Sequence, residues 1–306
     1  MSLGVQLPRD LPIDRFLPYA RRAEELGFDE LWVVEDCYFR GGIAQAAAAL
    51  AATSTIRLGI GILPAALRNP AATAMEAHTL AELFPGRLVL GIGHGMPAWM
   101  AEVGAAPRSP LRLLEEHITA VRALLRGDPA TLAATVRMDL PITAPPPMVL
   151  AGVRGPKSLA LAGRVADGTV LAEPVTPEYL AAARALIGVE PHHIATYNLA
   201  AVDPDPEVAR ATVRPALSGL GEPDWAPHIA PLDIAEDFAA LRAECADGPE
   251  FAARMPDAWV DRLTISGTPE TARAKVAELR AAGADSVVLV PTAPDALEAL
   301  GTVVSR

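Results

Sequence analysis

Short apolar runs alternate with amphipathic segments along almost the whole chain. The amphipathic segments place apolar positions at helical spacing, and the apolar runs between them have the length of buried strands. Eight such runs predict strands: 3–8, 29–36, 55–63, 87–93, 148–153, 167–174, 192–202 and 285–291. Helices are predicted over 14–28, 42–54, 69–86, 110–127, 155–166, 177–188 and 268–284, and over most of 203–262 with a loop at 221–231.

Breaker and capping residues agree with these boundaries. Gly27 lies at the end of the first predicted helix, where a glycine commonly stops one. Asn69 precedes Pro70, which predicts an N-cap followed by a proline at the first helical position. The Pro-rich stretch 128–147 is weakly patterned, but the alternation resumes after it, so we expect an excursion and not a domain linker.

Eight strand–helix units in one chain of this length predict an α/β fold, the (β/α)8 TIM barrel. A doubly wound sheet is the alternative, and it needs only about six strands. We expect a single domain over 1–306, with insertions after the fourth and seventh strands. The site should then lie at the carboxyl ends of the strands.

Composition narrows the classes of partner. The 306 residues carry a formal net charge of −11 and no run of Lys or Arg, which argues against nucleic acid and against anionic membrane surfaces as partners. The two cysteines, Cys37 and Cys245, are far apart, which is typical of the reducing cytoplasm. The N-terminus lacks the layout of a signal peptide, and no apolar stretch is long enough to cross a membrane.

A glycine-spaced loop follows the fourth strand. Gly91, Gly93 and Gly95 alternate with Ile92 and His94, a spacing that differs from the GxGxxG of dinucleotide-binding folds. The glycines either let the strand pack closely in a narrow barrel or let the backbone approach a flat ligand. Between two of them, His94 is a candidate for proton transfer, although a structural histidine is equally compatible with this position.

The fifth strand also ends in a loop that opens a helix. This loop combines cationic and hydroxyl side chains with a helix N-terminus, which is a ready anion site: Gly152, Val153, Arg154, Gly155, Pro156, Lys157 and Ser158. A plain helix start with solvated charges is the alternative. Acidic candidates at other strand ends are Glu35, Asp36 and Glu173, and no spacing of His, Cys or acidic residues suggests a metal site.

Several stretches resemble the bacterial luciferase-like superfamily, in particular its branch that depends on the deazaflavin coenzyme F420. This branch includes methylenetetrahydromethanopterin reductases and deazaflavin-dependent glucose-6-phosphate dehydrogenases. The matching blocks are "IRLGIGILPAALRNPAATA" (56–74), "FPGRLVLGIGHG" (84–95), "LAGVRGPKSLALAGRVADGTVL" (150–171) and "GTPETARAKVAELRAAGADSVVL" (267–289).

The resemblance implies roles for residues that match the family pattern. It implies a barrel with a flavin-type ring at its carboxyl mouth and a non-proline cis peptide between Gly61 and Ile62, followed by Leu63. It places the cofactor phosphate at 152–158 and the bulge of the third strand behind the central ring of the cofactor. The family often has Asp-His at the end of the second strand, whereas this chain has Asp36 and Cys37. The missing imidazole argues against a sugar-phosphate dehydrogenase.

We therefore expect an oxidoreductase that transfers a hydride between coenzyme F420 and a small organic substrate, with His94, Asp36 and Cys37 at the reacting centre. The alternatives are an FMN-dependent monooxygenase of the same superfamily, a catalytically silent flavin-binding protein and a barrel enzyme without a redox cofactor. The resemblance also implies a homodimer, for which the Ala-rich segment 44–52 provides a face suited to close helix packing.

Overall fold

Parallel pairing joins the N-terminal strand to the last strand of the chain and closes a barrel. The computed structural model describes residues 1–304, so positions 305 and 306 of the predicted domain lie outside the described residues. The strands of this range are β1 (Ser2–Gln6), β2 (Glu30–Val33), β3 (Arg57–Pro64), β4 (Leu88–Gly93), β5 (Ala130–Thr131), β6 (Thr135–Val136), β7 (Met148–Gly152), β8 (Gly168–Leu171), β9 (His193–Val202), β10 (Ile265–Gly267) and β11 (Ser286–Pro291).

Eight of these strands form the barrel, and each corresponds to one predicted run. Their order around the barrel is β1, β2, β3, β4, β7, β8, β9, β11, with β11 pairing back to β1. The short strand β10 extends the sheet by pairing with the outer end of β9. The predicted (β/α)8 barrel is confirmed, and the doubly wound alternative is excluded by the closure.

Helices follow the strands and surround the barrel. They are α1 (Ile13–Leu26), α2 (Gly42–Ala52), α3 (Pro70–Leu83), α4 (Pro97–Glu102), α5 (Pro110–Leu125), α6 (Pro156–Val165), α7 (Pro177–Ile187), α8 (Pro206–Val213), α9 (Ala226–Ile229), α10 (Ala235–Glu244), α11 (Gly248–Arg254), α12 (Asp257–Leu263), α13 (Pro269–Ala281) and α14 (Leu297–Gly301). Within the described part of the chain, no helix has both the length and the apolar character needed to cross a membrane.

Local capping explains where several helices begin. Asn69 accepts a hydrogen bond from the backbone N–H of Ala71, and Pro70 occupies the first position of α3, as predicted. Gly27 ends α1 with φ of 90°, a left-handed conformation that glycine adopts without a Cβ clash. Ordinary capping residues therefore explain where α1 ends and where α3 begins.

The two longest connections between barrel strands are residues 94–147, after β4, and residues 203–285, after β9. The first contains α4, α5 and the hairpin of β5 and β6. The second contains six helices, α8 to α13, and its own apolar cluster around Phe238 and Phe251. The prediction of an irregular loop at 221–231 was wrong, because a 3₁₀ turn at Pro223–Trp225 leads directly into α9. Two prolines open these two turns, where a missing N–H costs nothing.

Two layers of apolar packing hold the barrel. The outer layer lies between the strands and the surrounding helices and includes the small residues Ala46 and Ala77. The inner layer fills the barrel interior with larger side chains, among them Trp32, Leu150 and Tyr197. Because the interior is filled, a ligand can enter only above this layer, at the carboxyl ends of the strands.

Candidate functional site

A cavity of about 800 Å³ opens at the carboxyl ends of the barrel strands. Its walls come from all eight barrel strands and the loops that follow them, among them Gln6, Asp36, Ile62, His94, Arg154 and Glu173. Ligand cavities in proteins commonly measure 300–1,000 Å³. The site lies where the barrel topology predicts it, and its size suits a small molecule of several rings.

Ile62 forms part of the cavity floor. Three nearby positions are glycine because a side chain there would collide with Ile62 or with the backbone of its strand. A Cβ atom on Gly152 would lie 2.3 Å from Ile62 Cγ2, and a Cβ atom on Gly93 would lie 2.9 Å from Ile62 Cγ1. On Gly91 it would lie 2.4 Å from the carbonyl oxygen of Ile60. The glycines of β4 and β7 therefore make room for the bulging residue of β3, and Gly93 itself is not among the lining residues.

The third strand has the backbone irregularity that the resemblance implied. Its register with β4 shifts between Ile60 and Leu63, and the Gly61–Ile62 peptide bond is cis. Gly61 and Ile62 line the cavity. Leu63 is buried on the other side of the strand, toward Gly42 of α2.

The N-terminus of α6 faces the cavity through Gly152, Val153, Arg154 and Gly155. Gly155 caps the helix without a side-chain hydrogen bond, and Pro156 takes the first helical position. The N–H groups of the first helical turn are thus left for another acceptor. Lys157 is exposed and is not among the residues that line the cavity.

Arg154 is held by the long connection after β9. Its guanidinium carbon lies 4.7 Å from the ring centre of Trp225, and Nη1 donates to the Asp224 carbonyl at 3.5 Å. No carboxylate among residues 1–304 lies within ion-pair distance of this guanidinium. The cavity therefore has a cation whose charge is not neutralised by a neighbouring side chain.

His94 contacts the same helix start. Its Nε2 lies 3.1 Å from Oγ of Ser158, so two groups that the sequence indicated separately are brought together. Burial lowers the pKa of His94, and the backbone carbonyl of Pro110 opposes this lowering. The imidazole is then neutral at pH 7, able to donate or accept one hydrogen bond at each nitrogen.

The end of β2 is arranged differently from the expectation. Asp36 lines the cavity and pairs with Arg9 at 2.7 Å, a partner that the sequence analysis did not name. Cys37 lies outside the lining residues, and burial together with nearby carboxylates raises the pKa of its thiol. The next residue, Tyr38, donates to Glu102 at 2.6 Å and links this loop to α4.

Sequence reasoning missed Tyr197. It lies in the inner layer, edge-on to Trp32 with ring centres 5.6 Å apart, and its hydroxyl donates to the Gly61 carbonyl at 3.4 Å. Burial raises the pKa of Tyr197 well above its ordinary value. A large polar aromatic residue in the middle of a barrel strand is the pattern that could have indicated it.

The remaining acidic candidates differ in their surroundings. Glu35 is bound by the guanidinium of Arg68 and accepts from the backbone N–H of Gly42, so its charge is neutralised. Glu173 lines the cavity, and burial raises its pKa. No group of three or more His, Cys, Asp and Glu side chains in the described range is arranged to hold a metal ion.

Comparison with known proteins identifies the family. The luciferase-like monooxygenase family matches residues 2–286. The chain belongs to this family. It is an oxidoreductase of the luciferase-like type, and the resemblance inferred from the four sequence blocks is confirmed.

A curated relative of the luciferase-like chain is the 5,10-methylenetetrahydromethanopterin reductase of Methanolobus tindarius. It is 27% identical over 304 residues, which cover 94% of this chain and 93% of the relative. The nearly complete coverage of both chains shows that the likeness extends over the whole barrel and both long connections.

Two solved structures share the fold. The coenzyme F420-dependent tetrahydromethanopterin reductase of Methanopyrus kandleri superimposes with a TM-score of 0.81 at 23% identity, covering 99% of this chain and 96% of the other. The oxygenating component of 3,6-diketocamphane monooxygenase from Pseudomonas putida, in complex with FMN, gives 0.71 at 17% identity, covering 99% and 96%.

Proposed function

We propose that this luciferase-like protein transfers a hydride between coenzyme F420 and a small organic substrate in the cavity at the barrel mouth. The observation that carries the proposal is the unpaired guanidinium of Arg154 beside the uncapped start of α6, at the wall of a cavity of about 800 Å³. Such a place attracts an anion such as the phosphate of the cofactor. The likeness to a methylenetetrahydromethanopterin reductase supports this choice.

The residues present fit a phosphate-bearing ring cofactor. We assign the ring to the surface of Gly61 and Ile62 with Gly95 and Val153 beside it, all of which line the cavity. We assign the phosphate to Arg154 and to the backbone N–H groups of Gly155 and of the residues after Pro156 in the first turn of α6. Lys157 contributes long-range attraction from its exposed position, and Leu63 and Gly93 act indirectly by fixing the conformation of Ile62.

When bound, F420 supplies or accepts a hydride at its ring carbon. The chain's own groups bind the substrate, orient it and exclude water. Neutral His94, tied to Ser158, offers a hydrogen-bond donor or acceptor at the edge of the phosphate site. Asp36 is held in place by its ion pair with Arg9 and gives the cavity a fixed acceptor, while Cys37 acts only as a neighbour of this pair.

Titration of the purified chain with F420 and with FMN tests the proposal. We expect quenching of F420 fluorescence on binding, tighter than for FMN, and reduction or oxidation of the F420 ring with at least one member of a panel of alcohols, ketones and methylenetetrahydropterins. Tighter FMN binding with oxygen-dependent turnover would establish the monooxygenase alternative. Binding without any turnover would favour a silent flavin-binding protein, and binding of neither cofactor would overturn the proposal.

Charge reversal at Arg154 tests the phosphate assignment. We expect Arg154→Glu to weaken F420 binding roughly 10- to 100-fold, because a hydrogen bond to a charged group contributes about 1.5–3 kcal/mol. The measurement is a fluorescence titration at fixed ionic strength. Arg164→Glu makes the same charge change in the last turn of the same helix and should leave the affinity within about twofold. Equal affinities for the two variants would contradict the assignment.

We further propose a cytoplasmic homodimer. Helix α2 turns Ala46 and Ala49 toward the barrel and leaves Ala44 and Ala48 exposed, a flat surface suited to close packing of a second copy. Analytical ultracentrifugation of the purified chain decides between monomer and dimer. Ala48→Arg should then shift the dimer toward monomer, and a monomeric wild-type chain would contradict the assignment.

A further inference from the structure

Among the cavity carboxyls of residues 1–304 that are not exposed, Glu173 is the one without a charged partner. Five acidic residues line the cavity. Glu35 is paired with Arg68 and Asp36 with Arg9, whereas Asp10 and Asp224 lie at the exposed rim. Glu173 is partly buried at the end of β8 and has no basic side chain within 4 Å among residues 1–304.

The backbone of Glu173 is fixed from two sides. Its carbonyl oxygen accepts a hydrogen bond from Nε1 of Trp225 at 3.0 Å. The carbonyl of the next residue, Pro174, lies 2.9 Å from Nδ1 of His228, whose side chain is fully buried. These contacts fix the backbone from which the Glu173 side chain reaches the cavity, and a fixed starting point favours proton transfer to a bound molecule.

Charged groups around Glu173 act in opposite directions. Burial is the largest influence and raises the pKa of Glu173, a hydrogen bond from its own backbone N–H lowers it, and Asp36 raises it. Arg154 and Arg9 lower the pKa, and Arg9 is itself paired with Asp36. If a cofactor phosphate occupies the Arg154 site, its negative charge removes part of this lowering. The net direction is upward, so this environment stabilises the protonated form of Glu173 relative to the same carboxyl in water.

We propose that Glu173 is the group that holds and transfers the proton that accompanies hydride transfer in this cavity. The inference rests on the proposed function. It adds a catalytic residue outside the matching sequence blocks, since the block 150–171 ends two positions before it. Tyr197 shares the cavity and keeps its own proton because of its burial, so it is a hydrogen-bond donor and not the source of the proton.

The proton and electrons balance as follows. In the reducing direction, the carbon of a C=O or C=N bond in the substrate receives the hydride, which brings both electrons from reduced F420. The π bond breaks, and the oxygen or nitrogen takes the proton from the Glu173 carboxyl, which becomes a carboxylate. Water at the cavity mouth then returns a proton to the carboxylate, and the oxidising direction reverses each step.

Infrared difference spectroscopy on the full chain, without and with F420, tests whether Glu173 holds a proton. At pH 7 we expect the C=O stretch of a protonated carboxylic acid in the wild type. This band should be lost in Glu173→Gln and retained in Asp10→Asn, a matched change at the exposed rim of the same cavity. Absence of the band from the wild type, or its persistence in Glu173→Gln, would overturn the proposal.

Kinetics give the second readout. Glu173→Gln should bind F420 within about twofold of the wild type and lower kcat by roughly 100- to 10,000-fold with little change in KM, the usual contribution of a general acid or base. The part of the pH dependence of kcat that reports the titration of Glu173 should be absent from this variant. An unchanged kcat and profile would overturn the proposal. A wild type that does not bind F420 would instead contradict the proposed function, while the infrared result would still decide the protonation of Glu173.

Discussion

At the residue scale, the site depends on the absence of side chains. Gly91, Gly93 and Gly152 leave the space into which Ile62 projects, and Ile62 then forms part of the cavity floor. The sequence left two explanations for the β4 glycines, close strand packing or approach to a flat ligand. The structure favours close strand packing, because the nearest atoms to an added Cβ belong to neighbouring strands of the barrel.

Gly152→Ala is expected to lower the free energy of unfolding by about 1–3 kcal/mol, because its Cβ would lie 2.3 Å from Ile62 Cγ2 and would force the floor to shift. Urea denaturation measures the change. Gly219→Ala, where an added Cβ meets nothing within 4 Å, should stay within about 0.5 kcal/mol of the wild type. Equal effects in the two variants would mean that the floor readily adjusts.

At the element scale, the turn and helix of residues 223–229 form one wall of the cavity. Pro223, Asp224 and Pro227 line it, and Trp225 and His228 join the segment to the carbonyls that follow β8. The same Trp225 stacks beneath Arg154. This segment therefore positions the proposed phosphate site and the proposed proton carrier together.

Trp225→Leu should weaken F420 binding roughly 3- to 30-fold, since a stacked guanidinium contributes about 0.5–2 kcal/mol and its loss frees the Arg154 side chain. Trp225→Phe keeps a ring beneath the guanidinium and should recover part of the affinity. Fluorescence titration with F420 provides the measurement. Trp259→Leu, in the same apolar cluster but beside Phe238 and not beneath Arg154, should not change the affinity. A Trp225→Phe variant as weak as Trp225→Leu would contradict the stacking role.

At the scale of the whole molecule, buried histidines connect stability to pH. Burial lowers the pKa of His117 to about 4, helped by the charge of Arg68, and burial lowers the pKa of His228 to about 4. The ordinary value is 6.5. The unfolded chain therefore binds more protons than the folded chain between about pH 6.5 and pH 4, and stability decreases as the pH falls through this window.

Each of these two histidines should lower the free energy of unfolding by about 3 kcal/mol when the pH falls from 7 to below 4. The figure follows from about 1.4 kcal/mol for each unit of pKa difference between the folded and unfolded chain. Urea denaturation at a series of pH values measures the slope. His117→Gln should reduce the slope between pH 6.5 and pH 4 by about one proton equivalent. A variant with the wild-type slope would show that His117 does not titrate in this window.

The sequence alone determined the number and order of the barrel strands, the end of the barrel that carries the site and the helix start at 155–156. These follow from local periodicity and capping, which short stretches of chain specify. It also indicated Gly61 and Ile62, because their neighbours match a family block. It did not indicate Arg9 beside Asp36, since these residues are 27 positions apart.

Only the tertiary structure decided which charges remain unpaired at the mouth. Arg154 acquires its stacking partner from a segment about 70 positions away. Glu173 has no ion-pair partner, whereas Asp36 and Glu35 in the same cavity each pair with an arginine. Pairing of charges depends on which side chains meet when the barrel closes, and no local pattern in the chain specifies that meeting. Local periodicity therefore determined the barrel, and long-range contacts determined which charged groups meet at its mouth.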